Sequence, residues 1–112
     1  MTRQAAGHDR ARPDGWPRIV GSPNAVDWAI AIRRETIERF DDLLRGDVGE
    51  LGEDNRAYLV ELGGLVRTWM LAQNDASLWI ANRSASVRDW FRLAARSDQT
   101  IRAFIEARSR SS

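Results

Sequence analysis

Apolar side chains recur at alternating spacings of four and three residues through the body of this chain, which is the period of an α-helix that buries one face. The first such stripe carries Val26, Ile30, Ile37 and Phe40, and only Arg33 interrupts it. No part of the body alternates apolar and polar residues as a half-buried strand does. The pattern predicts an all-α fold, a compact bundle at this chain length.

Capping signals divide the body into about four helices. Ser22 and Pro23 mark the start of the first helix, and Gly46 predicts its end. Serine, asparagine and aspartate residues precede the third and fourth stripes, where their side chains can cap a helix N-terminus. We therefore expect helices at about 23–45, 53–73, 76–96 and 99–109.

The chain is organised as one helical domain with flexible ends. Residues 1–21 predict an extended arm, residues 22–109 the bundle, and residues 110–112 a frayed tail. The arm carries Trp16, Ile19 and Val20 among glycine, proline and arginine, and twenty residues cannot bury these side chains by themselves. We expect them to dock in an apolar groove of the same chain or of a partner. The expected wall is the second helix, where Val60 and Leu71 lie off the main apolar face.

Two glycines, Gly63 and Gly64, lie in the middle of the second predicted helix, and each costs about 1 kcal/mol relative to alanine. Two explanations are open. Either a neighbouring helix approaches closely at this point, or the helix bends or breaks there.

Composition and charge narrow the classes of function. The 112 residues carry 17 cationic side chains, all of them arginine, and 16 acidic side chains. A net charge of +1 creates no whole-chain field that points to nucleic acid or to a membrane. However, residues 24–75 are acidic and residues 76–112 are basic. This polarity permits self-association or docking on an acidic partner, and it also permits contact with nucleic acid.

The sequence predicts no enzyme. The chain has no cysteine, and its one histidine, His8, lies in the arm, so neither a catalytic triad nor a cysteine or histidine metal site is expected. The best carboxylate cluster, Glu35, Glu38 and Asp42, is typical of a solvated helix face with intrahelical ion pairs such as Asp41 with Arg45. We expect no cofactor and no small-molecule substrate.

A set of aromatic and arginine residues predicts a protein-binding surface. Trp28 and Trp79 flank their helical stripes, so we expect them to be half-exposed anchors. Arg33 and Arg83 occupy positions where the stripe predicts an apolar side chain. Their guanidinium groups either reach solvent or a nearby carboxylate, or line a groove for an acidic partner segment. The expected partner-binding residues are Trp16, Ile19, Val20, Trp28, Arg33, Trp79 and Arg83.

The region 76–92 supports a second interpretation, a degenerate helix-turn-helix in which Ser84 caps the second helix. In that case Ser86, Arg88 and Arg92 would contact DNA. The usual turn glycine is replaced by Ala81, and the stripe that continues through Arg83 favours a single helix from 76 to 96.

The sequence resembles no particular protein family. We expect a non-enzymatic helical protein-protein interaction module, such as an adaptor, a regulator or a small subunit of a larger assembly. The alternative is a small DNA-binding regulator. No apolar run is long enough for a membrane span and no apolar signal core is evident, so we expect a cytoplasmic location.

Overall fold

Five α-helices make up most of residues 15–111, the part of the chain that the computed structural model describes. They are α1 (Pro23–Gly49), α2 (Glu53–Leu71), α3 (Ala76–Ala81), α4 (Val87–Ser97) and α5 (Gln99–Ser111). The described residues contain no strand, only an isolated parallel bridge between Val20 and Asp75. The predicted all-α fold is confirmed, with five helices instead of about four. Residues 1–14 of the predicted arm, with His8, and Ser112 lie outside the described residues.

Helix α1 begins where the sequence predicts but ends later. The Ser22 hydroxyl accepts a hydrogen bond from the Ala25 amide at 3.4 Å, and the Ser22 carbonyl accepts one from the Val26 amide at 2.8 Å. The predicted end at Gly46 is wrong, because α1 continues to Gly49. A glycine ends a helix when it adopts a positive φ, and Gly46 does not do so.

The single helix expected at 76–96 is interrupted by a turn at residues 82–86, and this prediction is therefore wrong. Helix α4 starts at a reciprocal cap. The Ser86 hydroxyl accepts from the Asp89 amide at 3.1 Å, and the Asp89 carboxylate accepts from the Ser86 amide at 3.0 Å. The helix-turn-helix interpretation predicted a break here but placed the cap at Ser84. Ser86 takes that position because only it has an acidic residue three positions later that can complete the pair.

Helix α5 starts at the predicted cap. The Asp98 carboxylate accepts from the Ile101 amide at 3.1 Å. The Arg102 guanidinium donates to the carbonyls of Ala95 and Arg96 at 3.2 and 2.9 Å, in the last turn of α4. These bonds satisfy carbonyls that the end of a helix leaves open. Helix α5 extends to Ser111, two residues beyond the predicted bundle.

The chain divides into two units. In the described part, the first unit contains residues 15–36 and Leu71–Ser84, and the second contains Ile37–Met70 and residues 85–111. The buried side chains of the first unit are Ile19, Ala29, Ile32, Arg33, Thr36, Ala76 and Trp79. Those of the second unit are Ile37, Phe40, Leu62, Val66, Met70, Trp90, Ala94 and Ile101.

The buried face of α1 differs in part from the predicted stripe. Ile37 and Phe40 are buried as expected, whereas Val26 and Ile30 are only half-buried. Ala29 is fully buried in this stretch. A search for large apolar side chains overlooks alanine, although its small size allows the closest packing.

A close contact explains one of the two glycines in α2, which continues unbroken through both. A Cβ atom at Gly63 would meet the side chain of Leu44 of α1, whereas a Cβ at Gly64 would meet nothing within 4 Å. Gly63 is buried and Gly64 is exposed. The helix-break interpretation is therefore wrong, and close approach accounts for Gly63 alone.

We predict opposite consequences for the two glycines. Gly64→Ala should stabilise the protein by about 0.5–1 kcal/mol, because alanine restricts the unfolded chain and nothing obstructs its methyl group. Gly63→Ala should stabilise the protein less than Gly64→Ala does, or should destabilise it, because the Leu44 side chain must move to make room for the methyl group. Thermal unfolding of the two variants measures this difference. Equal stabilisation by both substitutions would contradict the close contact at Gly63.

Candidate functional site

The N-terminal strap, residues 15–21, lies against its own chain in the first unit. The Val20 amide donates to the Asn74 carbonyl at 2.6 Å, and the Ala76 amide donates to the Val20 carbonyl at 3.0 Å. Ile19 is 2% exposed. The sequence left open whether this segment docks on its own chain or on a partner, and for residues 15–21 the structure shows intramolecular docking.

Close approach of the strap requires a glycine at position 21. A Cβ atom at Gly21 would lie 2.9 Å from the Cβ of Ala76, a distance that real contacts do not reach. Both atoms are fixed directly to the backbone, so neither can rotate away. Gly21 therefore allows the strap to approach the start of α3.

Arg33 joins the strap to α1. Its side chain is fully buried, its Nη1 donates to the Pro17 carbonyl at 2.5 Å, and its guanidinium carbon lies 5.3 Å from the centre of the Trp16 ring. The expectation that the guanidinium reaches solvent is wrong, because the Arg33 side chain is fully buried. A buried guanidinium needs acceptors, and a carbonyl and a ring face supply part of them.

The hydrogen bonds shown for the strap go to Arg33 and to residues 74–76. Of the predicted wall on α2, Leu71 belongs to the first unit and is half-buried, while Val60 belongs to the second unit and is 53% exposed. The segment that the strap joins begins after α2 has ended. Free backbone groups there can form the Val20 bridge, and a helix face offers none.

Trp28 and Trp79 differ in exposure. Trp28 is 50% exposed as expected, with the Arg83 guanidinium carbon 5.4 Å from its ring centre. Trp79 is fully buried, so the prediction of a half-exposed anchor is wrong. Because α3 ends at Ala81, the stripe of a longer helix does not apply. Trp79 instead packs on the buried side of a short helix, and its indole nitrogen donates to the Gln73 carbonyl at 2.9 Å.

All seven predicted partner-binding residues belong to the first unit, but only some can meet a partner. Ile19, Arg33 and Trp79 are buried within the chain, and Trp16 is half-buried. Val20, Trp28 and Arg83 are exposed. Arg83 lies in the turn after α3 and not on a helical seam, and its Nη1 donates to the Ile80 carbonyl at 2.8 Å.

We predict that Ile19 anchors the strap. Ile19→Ala should destabilise the protein by about 2–5 kcal/mol, as expected for truncating a buried aliphatic side chain. The control Val20→Ala should cost less than about 0.5 kcal/mol, because the Val20 side chain is 59% exposed and its backbone bonds remain. Thermal or urea unfolding measures both. Deletion of residues 1–21 should also lower the melting temperature. Equal, small effects of the two substitutions would contradict strap docking.

The second unit contains an apolar groove that the sequence does not predict. Its volume is about 520 Å³, and residues from α1, α2, α4 and the Ser86 cap form its walls. The lining residues are Leu43, Asp47, Leu59, Leu62, Ser86, Val87, Arg88 and Phe91. Leu62 is the only buried one, and Leu43 is 49% exposed. One feature of the sequence could have indicated the groove: Leu43 is an apolar residue that lies off the apolar stripe of α1.

Two charges of opposite sign line the groove. Asp47 projects from α1 and Arg88 from α4, and neither forms an ion pair with another described residue. Three ion pairs join other charges of the described part of the second unit, among them two that involve α1. Asp41 accepts two hydrogen bonds from Arg67 at 3.0 and 3.1 Å, instead of pairing with Arg45 as expected. Arg45 pairs with Asp42.

The residues of the DNA-binding alternative surround the start of α4. Ser86 is the N-cap, Arg88 lines the groove, and Arg92 lies 3.8 Å from Asp89 with its side chain 68% exposed. Arg96 lies four residues after Arg92 on α4, as Arg92 does after Arg88, and it is also exposed. Helix α3 belongs to the first unit and α4 to the second.

The cap at Ser86 lowers the pKa of Asp89 below its ordinary value of 3.8. The main cause is the hydrogen bond from the Ser86 amide, followed by the Ser86 side chain and the charges of Arg92 and Arg88. Ionised Asp89 therefore stabilises the folded state above pH 3.8, and this contribution is lost as the pH falls through the lowered pKa.

We predict that Asp89→Asn lowers the melting temperature at neutral pH. The difference from the wild type should shrink on acidification below about pH 3.8, where the wild-type carboxylate also becomes protonated. Calorimetric melting across this range measures the effect. A difference that does not change with pH would contradict the role of the ionised cap.

Other chemistry in the described residues is sparse. Glu35, Glu38 and Asp42 are exposed, as expected for a solvated face. No group of three or more described acidic, histidine or cysteine side chains is arranged to hold a metal ion. None of the described helices is both long enough and apolar enough to span a membrane. Comparison of the chain with protein-family models, curated protein sequences and solved structures finds no match.

Proposed function

We propose that this protein is a non-enzymatic helical module that binds another protein through the groove of its second unit. One observation carries the proposal. Five apolar side chains from three helices line an open groove, and four of them remain partly exposed: Leu43, Leu59, Val87 and Phe91. A partner that covers these side chains removes apolar surface from water, which favours binding.

The polar residues of the groove favour binding over catalysis. Its three polar side chains are Asp47, Ser86 and Arg88. The Ser86 hydroxyl already accepts a hydrogen bond as the cap of α4, and no lining residue is a histidine that could activate it. Charged groups around an apolar centre match the polar rim and apolar core of protein interfaces.

A protein that binds a partner through this groove can act as an adaptor, a regulator or a small subunit of a larger assembly. We propose the cytoplasm as its location. The exposed residues Val20, Trp28 and Arg83 of the first unit are candidates for a further contact. Tryptophan and arginine are enriched at the positions that dominate interface energies. Docking of the strap on its own chain leaves these three side chains available.

A nucleic-acid role is the second candidate function. It is favoured by Arg88, Arg92 and Arg96, which are exposed at four-residue spacing on α4 and can meet successive phosphates. The two candidates respond differently to salt. Affinity for DNA falls steeply between about 50 and 200 mM salt, whereas an apolar protein interface responds much less.

We predict that Leu43→Asp disrupts partner binding. The tagged protein is isolated from its natural source, and the polypeptide that co-purifies is produced separately for titration. Leu43→Asp should weaken its binding at least about tenfold, because a carboxylate replaces an apolar contact of the groove. Leu43 is 49% exposed, so the fold should tolerate the change, and circular dichroism verifies this.

Val60→Asp is the matched control. Val60 is 53% exposed in the same unit and does not line the groove, so this variant should bind like the wild type. Equal affinities of the wild type and Leu43→Asp would overturn the proposal. So would co-purification of nucleic acid whose binding is abolished by replacing Arg88 and Arg92 with alanine.

A further inference from the structure

We infer that the groove receives an amphipathic helix of a partner protein, whose apolar stripe has a basic residue on one side and an acidic residue on the other. This inference rests on the proposed function and adds the chemistry of the bound segment. Three observations carry it: the helical walls of the groove, the spacing of its lining residues, and two charges that form no ion pair with another described residue.

The helical walls favour a bound helix over a bound strand. The walls are α1, α2 and the first turns of α4, whose backbone groups bond mainly within each helix. An extended peptide gains most of its affinity from backbone hydrogen bonds to a free sheet edge, and these walls offer none. Affinity must come from buried side chains, which is how an amphipathic helix binds in a groove.

The spacing of the lining residues matches a helix of two or three turns. Leu43 and Asp47 lie about one turn apart on α1, as do Val87 and Phe91 on α4. Leu59 and Leu62 are also about one turn apart, on α2. A partner helix that presents apolar residues at i, i+3, i+4 and i+7 spans the same length.

The charges of Asp47 and Arg88 determine which side of the partner helix is basic and which is acidic. Asp47 of α1 and Arg88 of α4 line the groove with no ion pair among the described residues. A partner helix with a basic side chain towards α1 and an acidic one towards α4 complements both charges. An acidic side chain towards α1 would meet Asp47 as a like charge, which disfavours the reversed orientation.

Helix α5 of a second copy of this chain is not available for the role. Its residue Ile101 is 1% exposed, and its residue Phe104 stacks on Tyr58 with ring centres 5.2 Å apart. These side chains already pack within the second unit of their own chain. We assign the groove to a helix of a different polypeptide, and a dimer is an outcome of the test.

The test uses a synthetic helical peptide of about fifteen residues with leucines at i, i+3, i+4 and i+7, lysines on one side and glutamates on the other. A second peptide has serines in place of the leucines, and a third has the glutamates replaced by lysines. Binding to the full-length protein is followed by amide NMR shifts, which also detect weak complexes. Only peptides with leucines should bind, with shifts centred on Leu59, Leu62 and Val87.

Charge variants of α4 test the recognition of the acidic side. Arg88→Glu should weaken binding of the glutamate peptide about tenfold and should favour the all-lysine peptide instead. The control Arg96→Glu changes an exposed arginine of α4 that does not line the groove, and should leave the order of affinities unchanged.

Three results would overturn the inference. They are absence of binding by the glutamate peptide, equal effects of Arg88→Glu and Arg96→Glu, and a dimer of the protein that Leu43→Asp dissociates. The proposed function is judged separately, with the natural partner. If Leu43→Asp weakens that complex while the peptides fail, the groove binds a protein segment of another kind. If Leu43→Asp leaves that complex intact, the proposed function fails as well.

Discussion

The reciprocal hydrogen bonds between Ser86 and Asp89 determine much of what this chain can present to a partner. They start α4 where the apolar period predicts a continuous helix. Helix α3 ends separately, at Ala81, so that Trp79 lies in the interior of the first unit and Arg83 in an exposed turn over Trp28. The first turn of α4 forms one wall of the groove. The cap thus fixes the start of the helix that places Val87, Arg88 and Phe91 along the groove.

Helical periodicity and capping residues predicted the fold class and most helix starts, because both are local properties of the sequence. Ser22 and Asp98 cap helices as expected, and α2 covers most of its predicted range. The break at residues 82–86 was missed because Arg83 fits the apolar period as a seam residue and hides the turn. Periodicity detects a helical face but cannot distinguish one helix from two whose stripes happen to remain in phase.

The candidate site depended on information that the sequence does not contain. The strap was correctly singled out by its apolar residues, yet its partner Arg33 was identified only as an unusual residue, since a sequence does not reveal which carbonyl a guanidinium meets. The groove lies between residues more than forty positions apart, such as Leu43 and Val87. Each helix alone predicts which face is apolar, but only packing shows which part of that face stays uncovered.

The distribution of tryptophan gives each unit its own spectroscopic reporter. Trp69 and Trp90 lie 6.4 Å apart between ring centres in the second unit, while Trp79 is buried in the first. An indole that passes from an apolar interior into water emits at longer wavelength. With phenylalanine at positions 69 and 90, all remaining tryptophans belong to the first unit, and the shift in emission comes from that unit alone. Fluorescence then follows the melting of the strap and α3, while circular dichroism follows the loss of helicity in the whole chain.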